Sequence, residues 1–223
     1  MSEKRVKQLI VLSASLVATL IIANLLALKI WSCFGIPVDA GIFIFPLSYI
    51  AGDLLAEFFG EKIANFVALI AALFAVLTAA LLGFACQLQD YPGADNQGFE
   101  IVASMAGQVF FASIFSFLLG QFTNNRIFEL IRGKSSSQQN QQDRQAGAFD
   151  LSFMAAFAKR AITSSSVAHL VDAVIFELVA FCGRLPVVDF VIQVVSAYFA
   201  GLMLELVFFP VTYFLVAKDR RLN

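Results

Sequence analysis

The sequence predicts an all-α integral membrane protein with six transmembrane helices. Three observations predict it. The 223 residues are 60% hydrophobic and only 14% charged, where soluble domains run to about 45–50% and 25%. The apolar residues fall in runs longer than the roughly 18–20 that carry a helix across a bilayer. The 25 phenylalanines are also more than the polar residues of this chain could cover in water.

The spans follow in order, and punctuation separates them. The first covers about Leu9–Trp31, behind Lys4, Arg5 and Lys7. Basic residues before an apolar run suggest a signal peptide, but the run exceeds an h-region of about 7–15 residues and no small-residue cleavage site closes it. It reads as a retained span. Gly35-Ile36-Pro37 breaks the chain before the second span, Ile42–Phe59, and Gly60-Glu61-Lys62 before the third, Ile63–Leu88. Asp90 to Asp95 supplies the next turn, and the fourth span covers Ile101–Phe122. A Ser/Gln-rich linker follows at residues 133–147 (GKSSSQQNQQDRQAG), too polar to build a core. The fifth span, Phe153–Cys182, and the sixth, Val187–Val216, flank Gly183-Arg184-Leu185-Pro186. Both are long enough to need tilt, a break or ends outside the hydrocarbon, and Pro210 is expected to kink the last near Tyr213. The whole chain reads as one membrane domain. The linker leaves three spans on each side, and an odd number sets two halves in opposite orientations. No residue-level repeat is visible between them.

Charge placement sets the orientation. Thirteen of the fifteen Lys and Arg fall on the side of the termini and the 123–160 region. The opposite side has Arg184 and Lys29, and its 90–100 loop carries Asp90, Asp95 and Glu100 without a base. Positive charge stays inside, so both termini are expected in the cytoplasm. Cys33, Cys86 and Cys182 lack metal-binding spacing; one disulfide is open to them, and lone apolar thiols are the favoured reading.

The apolar stretch FPLSYIAGDLLAEFFGEKIA, residues 45–64, contains Asp53 and Glu57. An ionised carboxylate at mid-bilayer costs at least about 2.5–3.5 kcal/mol. Asp172, Glu177 and Glu205 raise the same question, with no cation evident at their depth: Lys29 and Arg160 lie near span ends, where they can snorkel. Asp53 and Glu57 stack at i, i+4 on one helix face and repel, an arrangement that holds a proton or turns toward water or a ligand donor. Pro46 and Gly52 loosen that helix and admit close neighbours. The bland alternative leaves Glu57 facing cytoplasmic water.

A second constellation lies in RAITSSSVAHLVDAVIFE, residues 160–177. Ser165, His169, Asp172 and Phe176 share one helical stripe, and His169 is the single histidine. Its bland reading is a structural hydrogen-bond cluster with His169 on Asp172; within a membrane such residues mark a site or pathway. A Ser-His-Asp protease is disfavoured, because residues on successive turns of one helix point outward in parallel while nucleophile and base must converge. HExxH, P-loop and dinucleotide fingerprints are absent from the sequence, so no enzyme activity, cofactor or metal is expected. Asn24 in the first span and Gln108, Ser113, Ser116 and Gln121 in the fourth fit helix–helix hydrogen bonding, and one or two phenylalanines suit the walls of a flat-ligand site.

At these two stretches the chain resembles the queuosine-precursor transporter family, also called the vitamin uptake transporter family. The residues that carry the resemblance are Phe45, Pro46, Asp53, Glu57, Gly60 and Ala64 in the second span. In the fifth they are Arg160, Ser164 or Ser165, His169, Asp172 and Ile175-Phe176; Gly120, Gln121, Ile127, Phe128 and Pro210 add to them. His169 departs from an amide side chain in the family, and a last-span Lys is replaced around Gly201, with Glu205 nearby. The resemblance implies import of a 7-deazaguanine base for tRNA modification, by a chain that meets a purine-like molecule and the lipid bilayer and binds no nucleic acid directly. A homo-oligomer and coupling to protons stay open. The expected site is Asp53, Glu57, Ser165, His169 and Asp172, with Asn24 and Gln121 beside them. A carboxylate suits the adjacent N–H and amine of a guanine-like edge, and an imidazole or hydroxyl suits its carbonyl. The alternatives are a substrate-binding subunit of an ATP-driven vitamin uptake system and, further off, an intramembrane enzyme.

Overall fold

The computed structural model describes residues 2–33, 36–134, 151–181 and 186–222. Six long helices account for nearly all of them, and each is long and apolar enough to cross a membrane. Helix α1 (Glu3–Ala27) starts under Ser2, whose hydroxyl accepts a bond from the Arg5 amide at 3.4 Å. It ends four residues earlier than the hydropathy suggested. The chain then forms an antiparallel hairpin, β1 (Ile30–Cys33) and β2 (Ile36–Asp39), pairing Ile30 with Asp39 and Ser32 with Pro37. Hydropathy could not separate this hairpin from the span before it, because Ile30, Trp31, Ile36 and Val38 are as apolar as the helix. A 3₁₀ turn (Ala40–Phe43) leads into α2 (Phe45–Phe59). Pro46 lies in the first turn of α2, where its missing N–H goes unused.

Helices α2 and α3 (Glu61–Ala85) meet at a single residue, Gly60. Its φ of 85° lies in the left-handed region, which only glycine enters cheaply. This lets its N–H bond Ala56 while its carbonyl receives Ala64. One inner stripe of α3 is alanine (Ala64, Ala68, Ala71, Ala72, Ala75), all buried, so neighbouring backbones approach closely. Its other face shows Phe66, Leu73, Leu81 and Phe84, as lipid-facing side chains should.

Helix α4 (Gln97–Lys134) has 38 residues rather than the 22 expected. At about 1.5 Å per residue it outruns the hydrocarbon. It extends into the predicted linker as far as Lys134; the rest of that linker lies outside the described residues, as do Cys182 and most of the turn before the last span. Helices α5 (Leu151–Phe181) and α6 (Val187–Leu222) complete the bundle, and Pro210 sits inside α6. α4 packs most extensively on α5 and next on α3. Half of the α2 span is buried, against about a fifth of α1 and of α6. The helix carrying Asp53 and Glu57 is therefore the most enclosed element.

Candidate functional site

Two polar regions occupy the bundle, one toward the hairpin and one toward the termini. The first surrounds a cavity with about 60 Å³ for the centres of water molecules. A single water needs about 10–15 Å³ by this measure, so the space holds a few. Every helix but α3 lines it. Asn24 comes from α1, Phe45 and Pro46 from α2, Ser113 and Ser116 from α4, His169, Asp172 and Phe176 from α5, and Gly201 from α6. Asp39, at the end of β2, closes the ring. It lies outside the spanning helices, and burial pushes its carboxyl up to about 6 against three backbone N–H bonds that hold it down.

Two polar atoms at this cavity lack a hydrogen-bond partner among the described residues. They are Oδ1 of Asp172 and Nδ2 of Asn24, both on buried side chains. As a carboxylate the first accepts, and the second donates. Phe45 and Phe176 supply apolar wall beside them.

His169 does not turn to Asp172. Its Nε2 lies 3.1 Å from Oε2 of Glu205 on α6, and both side chains are buried. The Tyr49 ring covers the imidazole at 4.5 Å between centroids. A Cβ on Gly201 would come within 2.9 Å of Nδ1, so the imidazole occupies the room the glycine leaves.

The second region lies beyond Tyr49. Asn124 donates from Nδ2 to Oδ1 of Asp53 at 2.6 Å, and the Ser165 hydroxyl approaches Oδ2 at 3.4 Å. This ties α2, α4 and α5 together through one buried carboxylate. Beside it Gln121 donates to Asn125 at 3.1 Å, and Asn125 donates to Asn65 at 2.7 Å, which adds α3. The Gln121 amide fills the space a Cβ on Gly52 would take. Ser165 and His169 thus turn to different carboxylates, Asp53 and Glu205.

The expectation that no cation stands at the depth of the acids is corrected. Arg160 is buried and places a guanidinium nitrogen 3.5 Å from Oε2 of Glu57, with Arg132 at 3.9 Å. It does not snorkel; it lies over the rings of Phe128 and Phe157, at 5.6 and 5.9 Å. Phe153, Phe209 and Tyr213 extend this aromatic layer. Glu57 therefore has two arginines beside it and does not stand with Asp53 as an isolated acidic pair.

Of the seven residues singled out in the sequence, Asn24, His169 and Asp172 line the hairpin-side cavity. Asp53, Ser165 and Gln121 belong to the amide network, and Glu57 to the arginine cluster. Sequence reasoning missed Asp39, Asn65, Asn124 and Asn125. The two asparagines of α4 follow Phe122, the expected end of the span, and read as loop; the hidden signal was that the helix runs on. Asp39 falls between the first two expected spans and read as loop, because the hairpin that carries it was not expected. Among the described residues no three His, Cys, Asp or Glu are placed to hold a metal ion.

A protein-family model described as "Putative vitamin uptake transporter" matches residues 39–215, which hold every residue of both polar regions except Asn24. No curated protein and no solved structure matches the chain. The match spans most of the sequence and both polar regions, and it agrees with six membrane-crossing helices: the chain belongs to the vitamin uptake transporter family.

Proposed function

We propose that the protein imports a 7-deazaguanine precursor of queuosine across the bacterial inner membrane by alternating access, with both termini in the cytoplasm. The observation that carries this reading is the Oδ1 of buried Asp172, unpartnered among the described residues, which lines the same cavity as the unpartnered Nδ2 of Asn24, with Phe45 and Phe176 in its walls. A guanine-like edge answers both atoms. Its ring N–H and exocyclic amine donate to the carboxylate, its carbonyl accepts from the amide, and its faces meet the phenylalanines. An analogue lacking that edge leaves both groups unpaired in a low-dielectric site, which is the physical basis of selection.

The other residues form the wall the cargo must pass. The Asp53 network and the Glu57–Arg160 pair lie between the cavity and the side bearing the termini, where the positive charges gather. The cavity is thus on the external side of the barrier. A space for a few waters must widen on the hairpin side to admit a base, and release requires α2 and α5 to separate at Glu57 and Arg160. Opposed three-helix halves, α1–α3 and α4–α6, suit such rocking.

The test is growth and tRNA modification in a host lacking queuosine synthesis and its own uptake system, supplied with one base at a time. Asp172→Asn should lower uptake about 10- to 100-fold, the equivalent of a charge-assisted hydrogen bond worth about 1.5–3 kcal/mol. If Asp53→Asn and Asp172→Asn both import at the wild-type rate, this assignment is wrong. Uptake by the purified chain alone in liposomes separates a self-sufficient transporter from a subunit of an ATP-driven system.

A further inference from the structure

The buried and half-buried carboxylates divide into two groups. Asp53 has Asn124 and Ser165, Glu57 has Arg160, Glu205 has His169, and Asp219 has Lys4, Arg5 and Gln8. Asp39, Asp172 and Glu177 have no Lys, Arg or His at ion-pair distance among the described residues, and all three lie on the hairpin side. They are close enough to feel one another's charge.

A second, smaller cavity adjoins the first and shares Asp39, Ile42 and Ala197 with it. Glu177 and Gln193 line it from α5 and α6, and both are more than nine-tenths buried. Oε2 of Glu177 and Oε1 of Gln193 have no hydrogen-bond partner among the described residues. The unpartnered buried polar atoms at this space are therefore both acceptors, one on a carboxylate and one on an amide, with the Asp39 carboxylate and the Ser196 hydroxyl beside them. It measures about 10 Å³, roughly the room that one water requires.

Resting on the reading above, we infer that the cargo is a cation, with its ring along Asp172 and its ammonium group received by Asp39, Glu177 and Gln193. An ammonium offers three donors and no acceptor, the complement of three acceptors. Its size suits a water-sized recess, where a planar guanidinium does not fit. Its charge offsets the cost of enclosed carboxylates that have no cation beside them among the described residues. In a 7-deazaguanine the substituent at carbon 7 is held away from the guanine-type edge, so edge and ammonium need separate acceptors, as in the two adjoining spaces.

Two probes differ in this charge and little else: 7-aminomethyl-7-deazaguanine, an ammonium at neutral pH, and its 7-cyano analogue, which is neutral. Uptake of each is measured with the full-length protein in liposomes at pH 7.5. The wild type should favour the aminomethyl base at least tenfold at low concentration. Asp39→Asn and Glu177→Gln should each lower that ratio at least fivefold, and measurable cyano-base uptake by the same preparations shows that they are folded. Equal wild-type uptake of both probes overturns the inference without any variant, and leaves transport of deazaguanines standing. Variants that reduce both probes by the same factor overturn it too, because they assign the acids to structure or to a coupling proton. Wild-type protein that carries neither base removes the functional reading itself, and this inference with it.

Discussion

At the scale of single residues, the site is arranged by where methyl groups are missing. A Cβ on Gly120 would collide with the buried hydroxyl of Tyr49, which has no hydrogen-bond partner among the described residues. Gly120→Ala should therefore destabilise by about 1–3 kcal/mol through overpacking. Tyr49→Phe removes both the clash and an unsatisfied hydroxyl, so the double variant should recover most of the loss, read as melting temperature in detergent. Independent, additive effects would mean the two groups do not touch. Asp39 carries a second prediction. Its carboxyl is pushed up to about 6, so it loses its charge as pH falls through that value. A proton there competes with a bound ammonium, and Glu177 and Asp172 face the same space. With equal pH on both sides of the membrane, uptake of the aminomethyl base should drop between pH 7 and 5 more steeply than uptake of the cyano base. Parallel profiles would detach Asp39 from the cargo. Sequence alone exposed Asn24, His169 and Asp172 as polar residues out of place. It could not expose Asp39, because an acid beside a turn is ordinary until the fold carries it to a cavity.

At the scale of elements, the pairing of α2 with α5 through Glu57 and Arg160 bears the most weight. Removing one partner of a buried ion pair costs on the order of 3 kcal/mol where the other charge is stranded, and less here because Arg132 stays 3.9 Å from Glu57. Arg160→Met should lower the melting temperature, and adding Glu57→Gln should restore much of it. A double variant no better than Arg160→Met would show that the pair does not interact. Its effect on transport should differ from that of Asp172→Asn: a weakened barrier raises leak of preloaded base from vesicles, whereas a damaged binding edge lowers uptake. The existence and order of the helices were legible from hydropathy, since runs of apolar residues leave few other structures in a bilayer. Their ends were not. A hairpin as apolar as the helix before it, and a helix that continues into polar sequence beyond the hydrocarbon, both defeat a hydropathy reading.

At the scale of the whole molecule, Cys86 reports orientation. It caps α3, at the far end from Gly60, and is exposed. If the termini are cytoplasmic, a membrane-impermeant maleimide should label Cys86 in intact cells, with a Cys86→Ala control. Labelling only after permeabilisation would invert the topology, and the cavity would then open toward the cytoplasm. The sequence also pointed to two walls, in the second and fifth spans, and both lie in the bundle's interior. That these walls contribute to separate levels, one toward the hairpin and one toward the termini, is a matter of depth along the helices that hydropathy does not record. The glycine seats bear on how those levels exchange. Gln121 sits against Gly52, Tyr49 against Gly120 and His169 against Gly201, so α2 holds to α4, and α5 to α6, by knobs in fitted sockets. Sliding either pair by one residue would press a knob against a Cβ and jam it, whereas a pivot about the socket leaves it seated. The chain is therefore geared to tilt rather than to slide, with three glycines as its bearings.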